Sequence, residues 1–200
     1  MLLGGEMIEK AFREGPWRIY RDAAPLELTE DLILIGANSV DVTLSESLLR
    51  PRLPHGVEVV DPRQPESLEW ESLSIGQDGF VLEPGQFVLG CVRERIDCGA
   101  PLGGDGQAGR FVQHYEGRST CGRLGILSHA TAGFGDYGFQ GAFTLELSTV
   151  LGHPVRLFTG MRIGQVYFTE VIGPRVYEGA YAGEDHYGRP RPPVLGPDRF

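Results

Sequence analysis

Residues 142–148 read AFTLELS, and their apolar and polar side chains alternate strictly. In an extended chain the apolar residues would line one face, and the polar ones, including Glu146, would line the other. This period of two predicts a half-buried β-strand with its apolar side toward a core. Taken alone, Glu146 would be an ordinary solvent-facing strand residue.

Short β-branched and aromatic runs recur along the chain, separated by turns drawn from 29 glycines and 14 prolines. They predict strands at 32–35, 39–44, 57–60, 79–82, 86–92, 110–115, 125–128, 142–148, 155–158 and 165–170. Only residues 6–14 carry helical spacing, which stops at Gly15 and Pro16. Closely spaced strands with almost no helix predict a mainly β fold, either a barrel or a jelly-roll-like sandwich.

The composition fits one domain spanning residues 1–200, because 41% apolar content supplies a sizeable core and no break in composition suggests a second. Residues 98–109 are glycine-rich and predict a surface loop. Residues 174–200 are rich in Gly, Pro, Tyr and Arg. That stretch is either a frayed terminus or a C-terminal arm that orders over a ligand or a neighbouring subunit.

Charge and hydropathy restrict the function. A net charge of −9 opposes binding to a nucleic-acid backbone, although a small anion held by local arginines remains compatible. No window approaches the roughly 20 apolar residues of a membrane span, so we expect no membrane association and a cytoplasmic protein. The three cysteines form no C-x-x-C unit and are expected to be buried, reduced thiols.

Two short motifs point to chemistry that their context does not support. The G-x-G-x-x-G at 104–109 precedes a predicted strand, whereas a dinucleotide-binding motif follows one. The His-Tyr-Glu at 114–116 matches half of a zinc deaminase signature, but the P-C-x-x-C half is missing. A deaminase with this sequence would therefore have to activate water without zinc.

The window EGRSTCGRLG at 116–125 concentrates two arginines, two hydroxyls and several glycines. Guanidinium forks and free backbone N–H groups at such a turn suit a polyphosphate. Without further information, an ordinary polar loop remains the alternative.

Together, GRSTCGRLG (117–125) and HATAGFGDYGFQGAFTLEL (129–147) strongly resemble the dCTP deaminase family. The resemblance extends to NSVDVTL (38–44) and GMRIGQ (160–165), so it covers most of the chain in the right order. It implies the distorted β-barrel or jelly-roll of trimeric dUTPases, with a short N-terminal helix and residues 174–200 as an arm over the active site. It also implies a homotrimer with active sites between subunits, and zinc-independent hydrolysis of dCTP to dUTP and ammonia. Mg²⁺ would accompany the triphosphate.

The resemblance assigns roles to individual residues. Glu146 corresponds to the general base and proton shuttle. The groups that place the attacking water and polarise the base correspond to Ser119, Arg123 and the carbonyl of Ala132. The implied substrate-binding positions are Arg118, Thr120, Cys121, Gly122, Asp136, Thr144, Leu145, Gln165, Tyr177, His186 and Tyr187. Among them, Arg118 and Thr120 match triphosphate contacts, and Asp136 matches a contact to the deoxyribose 3′-hydroxyl.

The chain departs from the family pattern in its arm, where His186 replaces a lysine and Pro190 replaces a glutamine. Proline has neither an amide side chain nor a backbone donor, so Arg189 or Arg191 would have to supply the missing phosphate contact.

Residues 131–134 resemble the bifunctional members, which also cleave dUTP to dUMP and pyrophosphate. Other readings stay open: a pure dUTP pyrophosphatase, a deaminase that prefers dCMP, a non-catalytic nucleotide-binding regulator, or an unrelated β-sandwich binding module. Thymidine triphosphate (dTTP) is a candidate feedback inhibitor.

Overall fold

Antiparallel β-strands dominate the secondary structure of the computed structural model. It describes residues 1–28, 34–98, 110–131, 133–173, 175–178 and 189–193. Within these ranges the strands are β1 (Arg18–Arg21), β2 (Ala24–Pro25), β3 (Val40–Thr43), β4 (Ser47–Arg52), β5 (Glu69–Ser74), β6 (Phe80–Leu82), β7 (Phe87–Cys91), β8 (Glu94–Asp97), β9 (Phe111–Gly117), β10 (Ile126–Leu127), β11 (Phe134–Gly135), β12 (Thr144–Thr149), β13 (Val155–Leu157) and β14 (Arg162–Glu170). The helical segments there are α1 (Gly5–Arg13), α2 (Ser119–Arg123) and a single 3-10 turn at Pro65–Ser67.

The strands form two larger sheets, with orders β10-β12-β7-β4-β5 and β11-β9-β14-β3. A three-stranded sheet, β2-β1-β8, and the pair β13-β6 complete the arrangement in the described ranges. Neighbours in a sheet are often distant in the chain, as when β12 pairs with β7 and β14 pairs with β3. The mainly β prediction is confirmed.

In β12, buried and partly exposed side chains alternate as the sequence predicts. Leu145 and Leu147 are completely buried in the core, whereas Glu146 lies on the opposite, partly exposed face. Pairing with β7 places Glu146 directly across from Leu89. The strand thus contributes two core leucines and presents one carboxylate on the other side.

Most of the predicted strands are confirmed: 39–44, 79–82, 86–92, 110–115, 125–128, 142–148, 155–158 and 165–170 correspond to β3, β6, β7, β9, β10, β12, β13 and β14. The strand predicted at 57–60 is wrong, because these residues lie in the loop between β4 and β5. Val59 is 77% exposed, and no strand of the described ranges includes residues 57–60. Of the strand predicted at 32–35, only residues 34 and 35 are described, and Ile35 forms an isolated bridge with Val40.

The sequence did not predict β1, β2, β4, β5, β8 or β11. The pair β4 and β5 explains why, because these strands carry charged residues and a proline in place of an apolar alternation. Arg50 lies opposite Glu71 in their register, and its Nη2 is 2.5 Å from Glu71 Oε2. Such cross-strand pairs stabilise a sheet but become visible only once the partner strand is known.

The predicted N-terminal helix is confirmed as α1, which buries Ile8 and Phe12 in the core. Trp17 follows it, and its ring lies 5.6 Å from that of Phe12, 5.4 Å from Phe111 and 4.6 Å from Phe168. Neither α1 nor any other helix of the described ranges is long and apolar enough to cross a membrane. The predicted loop at 98–109 lies almost entirely outside the described residues.

A buried carboxylate ties the three-stranded sheet to β3. Glu94, whose side chain is 0% exposed, accepts hydrogen bonds from Arg21 Nε at 2.8 Å, Thr43 Oγ1 at 2.8 Å and the Thr43 N–H at 2.7 Å. Desolvating a charge is costly unless partners of this kind compensate it. The hydrogen bonds of Glu94 to Arg21 and Thr43 therefore fix β1, β3 and β8 relative to one another.

We predict that Glu94→Ala lowers the free energy of unfolding by about 3 kcal/mol or more, because Arg21 and the Thr43 N–H lose a buried partner. Urea denaturation followed by circular dichroism measures the change. The control Glu9→Ala removes an exposed pair with Arg13 and should cost no more than about 0.5 kcal/mol. Equal effects of the two substitutions would contradict the structural role of Glu94.

Candidate active site

The segment predicted to bind an anion folds as the short helical segment α2, between β9 and β10. Gly125 ends it with φ +72°, a left-handed conformation that favours glycine. Two contacts fix α2 to the start of β14: the Arg118 N–H donates to the Ile163 carbonyl at 3.3 Å, and Cys121 Sγ donates to the Arg162 carbonyl at 3.5 Å. The buried Cys121 therefore anchors the segment.

The opposite side of α2 is exposed at Ser119, Thr120, Gly122 and Arg123. None of the side chains of Ser119, Thr120 and Arg123 has a polar partner among the described residues. Two hydroxyls and a guanidinium are therefore exposed on this side of α2.

Beside α2, two guanidinium groups share one carboxylate oxygen. Asp41 Oδ2 accepts hydrogen bonds from Arg118 Nη1 at 2.7 Å and from Arg162 Nη1 at 3.1 Å. Gln165 lies opposite Asp41 in the β3–β14 pair, and its Oε1 accepts a hydrogen bond from Ser39 Oγ at 3.0 Å. The sequence had singled out Arg118 and Gln165, and the structure brings them together.

Sequence reasoning gave no role to Asp41 or Arg162, although both lie within the motifs NSVDVTL and GMRIGQ. Their position in those motifs was the only available signal. Their joint contact to Arg118 becomes visible only when β3, β9 and β14 pair.

The carboxylate of Glu146 is held by the loop that precedes β11. Glu146 Oε2 accepts hydrogen bonds from the backbone N–H groups of Ala130 at 2.6 Å and Thr131 at 3.1 Å. The Glu146 N–H in turn donates to the Ser128 carbonyl at 3.2 Å. No described residue donates to Oε1. One carboxylate oxygen is thus fixed, and the other remains available to a ligand.

Glu146 lines a cavity of about 440 Å³, a size typical of small-molecule sites. Its walls are mostly apolar and aromatic, with a few polar groups in between. The predicted site residues on its wall are Asp136, Thr144, Glu146 and Tyr177, which we call the cavity group. Residues that the sequence did not predict for this wall include Leu68, Trp70, Phe87, Leu89, Phe134, Phe139 and Phe143.

The C-terminal residues reach the same cavity. Arg191 and Pro193 line it, and the Arg191 N–H donates to Thr144 Oγ1 at 3.2 Å. Further upstream, the Tyr177 N–H donates to the Tyr137 carbonyl at 2.8 Å. These contacts attach two described parts of the terminal stretch to the cavity wall.

The predicted site residues thus fall into two separate groups. The second, which we call the α2 group, consists of Arg118, Ser119, Thr120, Arg123 and Gln165. In the described part of the chain, none of these five lines the cavity that holds Glu146.

Six other predicted positions belong to neither group. The Cys121 side chain is buried and donates to the Arg162 carbonyl, so any contact from Cys121 to a ligand would involve its backbone, whereas Gly122 is exposed on α2. The Leu145 side chain is completely buried on the core face, so any contact from it to a ligand would involve its backbone. Ala132, His186 and Tyr187 lie outside the described residues.

An exposed apolar patch adjoins α2. It consists of Leu124, Leu127, Val150 and Leu151, all exposed. The patch is continuous because β10 pairs with β12 at Leu127 and Ser148, and because the Val150 N–H donates to the Gly125 carbonyl at 2.9 Å. Contiguous exposed apolar side chains of this kind mark interaction surfaces.

The cysteines agree with the sequence prediction, since Cys91, Cys98 and Cys121 are all buried and free. Burial raises the pKa of the Cys91 thiol to about 12, so it is protonated at neutral pH. Within the described ranges, no group of three His, Cys, Asp or Glu side chains is arranged to hold a metal ion.

Phe134, which lines the cavity, also packs against two stacked rings on β9 and β14. The His114 ring stacks on Tyr167 at 4.6 Å and meets Phe134 edge-on at 5.0 Å. His114 Nε2 lies 2.7 Å from Thr169 Oγ1. Partial burial lowers the pKa of His114, with the Glu116 carboxylate opposing in part.

Comparison with known proteins gives a consistent result. A protein-family model described as dCTP deaminase-like matches residues 2–171. A relative from Mycolicibacterium gilvum, named "dCTP deaminase, dUMP-forming", is 41% identical over 80% of each chain. A relative of the same name from Bifidobacterium animalis subsp. lactis is 34% identical over 97% of this chain and 92% of its own.

Among solved structures, the chain is similar to the 2′-deoxycytidine 5′-triphosphate deaminase from Agrobacterium tumefaciens, with a TM-score of 0.59 and 20% identity. The similarity covers 84% of this chain but only 47% of that one, so this chain spans about half of the solved protein. At this identity the similarity concerns the fold.

We predict that His114 titrates below its ordinary pKa of 6.5. The unfolded chain then binds this proton more readily than the folded one, so His114 makes the free energy of unfolding decrease as pH falls from 6.5 through the lower folded value. NMR titration of the ring measures the pKa directly. In urea denaturation, His114→Gln should make the free energy of unfolding depend less on pH in that window. A His114 pKa at or above its ordinary value would contradict the prediction.

Proposed function

The chain belongs to the dCTP deaminase-like family, and from this premise we propose that it converts dCTP to dUTP and ammonia and then dUTP to dUMP and pyrophosphate. The observation that carries the proposal is Glu146, whose carboxylate is oriented by two backbone N–H groups on the wall of a nucleoside-sized cavity. The second activity is favoured by the printed names of the relatives, which are described as dUMP-forming.

In the first reaction, Glu146 acts as the general base. Its free oxygen, Oε1, takes a proton from water as the water oxygen bonds to C4 of the cytosine ring. The carboxylate delivers this proton to N3, which leaves a hydroxyl on C4. It then takes the remaining proton from that hydroxyl and passes it to the exocyclic nitrogen, so that C4=O forms, the C4–N4 bond breaks and ammonia leaves. Holding Oε2 on Ala130 and Thr131 keeps the carboxylate aligned through both transfers.

The cavity suits a pyrimidine deoxynucleoside. Phe139 and Phe143 offer apolar surface to the base and sugar, and Asp136 supplies a carboxylate acceptor for the 3′-hydroxyl. The rings of Phe139 and Phe143 pack on each other with their centroids 5.3 Å apart, which restricts their rotation before a ligand binds. A wall that is already ordered reduces the entropy lost on binding.

In the second reaction, a water molecule hydrolyses the bond between the α- and β-phosphates of dUTP and releases dUMP and pyrophosphate. The α2 group supplies the cations and hydroxyls that would bind the triphosphate. Mg²⁺ would arrive with the nucleotide, since in the described ranges no cluster of protein side chains is arranged to bind it alone.

A complete site requires two copies of the chain. The α2 group lies outside the cavity of its own subunit, and Ser119 and Arg123 have no polar partner among the residues described. In the proposed homotrimer, Ser119 and Arg123 of one copy reach the cavity group of another. There they position the attacking water and stabilise charge that develops on the base. The adjoining apolar patch would be buried in the same contact.

Residues 174–200 would form an arm that belongs to this one domain and closes over the nucleotide. The support is the hydrogen bond from Arg191 to Thr144 and the place of Tyr177 and Arg191 in the cavity wall. Arg191 lies between Pro190 and Pro192, which restrict the local backbone to extended conformations. An arm of limited flexibility loses less entropy when it orders over a ligand.

The inhibition by dTTP stays a prediction.

We predict that Glu146→Gln lowers the rate of ammonia release from dCTP by about 100-fold or more, the lower range for loss of a general base. The amide keeps the shape of the side chain, so folding and nucleotide binding should persist. Coupled ammonia detection, calorimetric binding and thermal denaturation provide the three readouts. The control Glu170→Gln changes a glutamate at the end of β14 and should leave all three unchanged. A near-normal rate for Glu146→Gln would remove the proposed base, and dUMP formation from dUTP without ammonia from dCTP would indicate a pure pyrophosphatase.

We predict that Leu127→Asp abolishes the trimer and with it the activity, because a carboxylate would have to be buried in the apolar contact. Sedimentation velocity at micromolar concentration measures the mass, and circular dichroism checks that the subunit stays folded. The control Ile172→Asp alters a side chain that is 98% exposed away from the patch and should remain trimeric and active. A monomeric wild-type protein, or a fully active monomeric variant, would contradict the shared site.

A further inference from the structure

We propose that Arg162 is a second phosphate-binding arginine, which acts beside Arg118 and makes the site prefer a triphosphate to a monophosphate. The inference rests on the proposed function, because it assigns a residue to the triphosphate end of that site. The sequence gave Arg162 no role, and its position follows from the contacts around Asp41.

The two guanidinium groups converge on a single atom. Both Arg118 Nη1 and Arg162 Nη1 donate to Asp41 Oδ2, at 2.7 Å and 3.1 Å. Each guanidinium has five N–H donors, and the recorded bonds to Asp41 use one from each. Most of their donors therefore remain to bind neighbouring oxygens of one polyphosphate chain.

Asp41 needs only one of these cations. Its side chain is 17% exposed, and Arg118, with the shorter contact and a 31% exposed side chain, already compensates its charge. Arg162 adds a second positive charge to the same carboxylate, and its own side chain is 54% exposed. A counter-ion for Asp41 would explain one arginine, whereas an anion that arrives from outside explains both.

The position of Arg162 is fixed relative to the α2 group. Its carbonyl accepts the hydrogen bond from Cys121 Sγ, and the next carbonyl, of Ile163, accepts from the Arg118 N–H. The start of β14 and α2 therefore form one surface, which presents Arg118, Arg162 and Arg123 together with the hydroxyls of Ser119 and Thr120. Preorganised donors bind an anion without paying to assemble the site.

The charge on this surface contrasts with the rest of the protein. The chain carries a net charge of −9, yet three arginines gather here against Asp41. Glu116, a further carboxylate nearby, lies opposite Gln165, and its Oε2 is 3.6 Å from His129 Nε2. A local cation excess on an acidic protein is suited to one small polyanion.

The test compares binding of two ligands that the proposed reactions do not consume, inorganic tripolyphosphate and dUMP, by calorimetry with magnesium present. Arg162→Ala should weaken tripolyphosphate binding about tenfold, as expected for loss of a charge-assisted contact, and change dUMP binding less than about twofold. The tripolyphosphate affinity of Arg162→Lys should lie between those of the wild type and Arg162→Ala, because lysine keeps the charge but loses the planar guanidinium fork. With dCTP, the alanine variant should raise KM by a similar factor and leave kcat nearly unchanged.

The matched control is Arg156→Ala, which removes an exposed arginine whose recorded contact is to the Asp78 carbonyl. It should bind both ligands like the wild type. The proposal is overturned if Arg162→Ala binds tripolyphosphate as tightly as Arg156→Ala does, or if Arg162→Ala weakens the binding of tripolyphosphate and dUMP equally. It is also overturned if the wild type does not bind tripolyphosphate. Because tripolyphosphate has no base, this result is independent of deamination, so failure to release ammonia from dCTP would refute the proposed function alone.

Discussion

The antiparallel pairing of β12 with β7 is the constraint on which the rest of the arrangement depends. It directs Leu145 and Leu147 into the core, and the same register leaves Glu146 opposite Leu89 on the other face. A shift by one residue would exchange the faces, burying a carboxylate and exposing two leucines. The apolar contacts that stabilise the sheet therefore also determine which side of it carries the carboxylate, so stability and the position of the chemistry have one origin.

The polar groups of the candidate site depend on that framework in different ways. Glu146 is oriented by backbone N–H groups, which makes its alignment insensitive to the side chains at 130 and 131. The arginines beside α2 are instead oriented by another side chain, Asp41, whose own place is fixed by the pairing of β3 with β14. A backbone cradle provides rigidity, whereas an ion pair leaves guanidinium donors available for exchange with a ligand.

In the proposed homotrimer, the separation of the two groups within one chain would give a physical reason for assembly. The carboxylate lines an apolar cavity, and the cations lie on a surface outside that cavity. If they meet only between copies, the enclosed environment that strengthens electrostatic interactions forms only in the oligomer. The exposed apolar patch beside α2 supplies the surface that such a contact would remove from water.

The sequence by itself determined the mainly β class, the helix at the N-terminus, the faces of β12, the buried thiols and, through its ordered motifs, the family. These follow from local periodicity and from residue types that carry their own signal. Only the tertiary structure decided the strands rich in charge, the loop at 57–60, the backbone donors to Glu146 and the shared contact of Arg118 and Arg162 with Asp41. The physical reason is that strand pairing is non-local and every residue except proline has the same backbone N–H. The sequence alone therefore specifies neither the partner of a strand nor the donor that faces a given carboxylate.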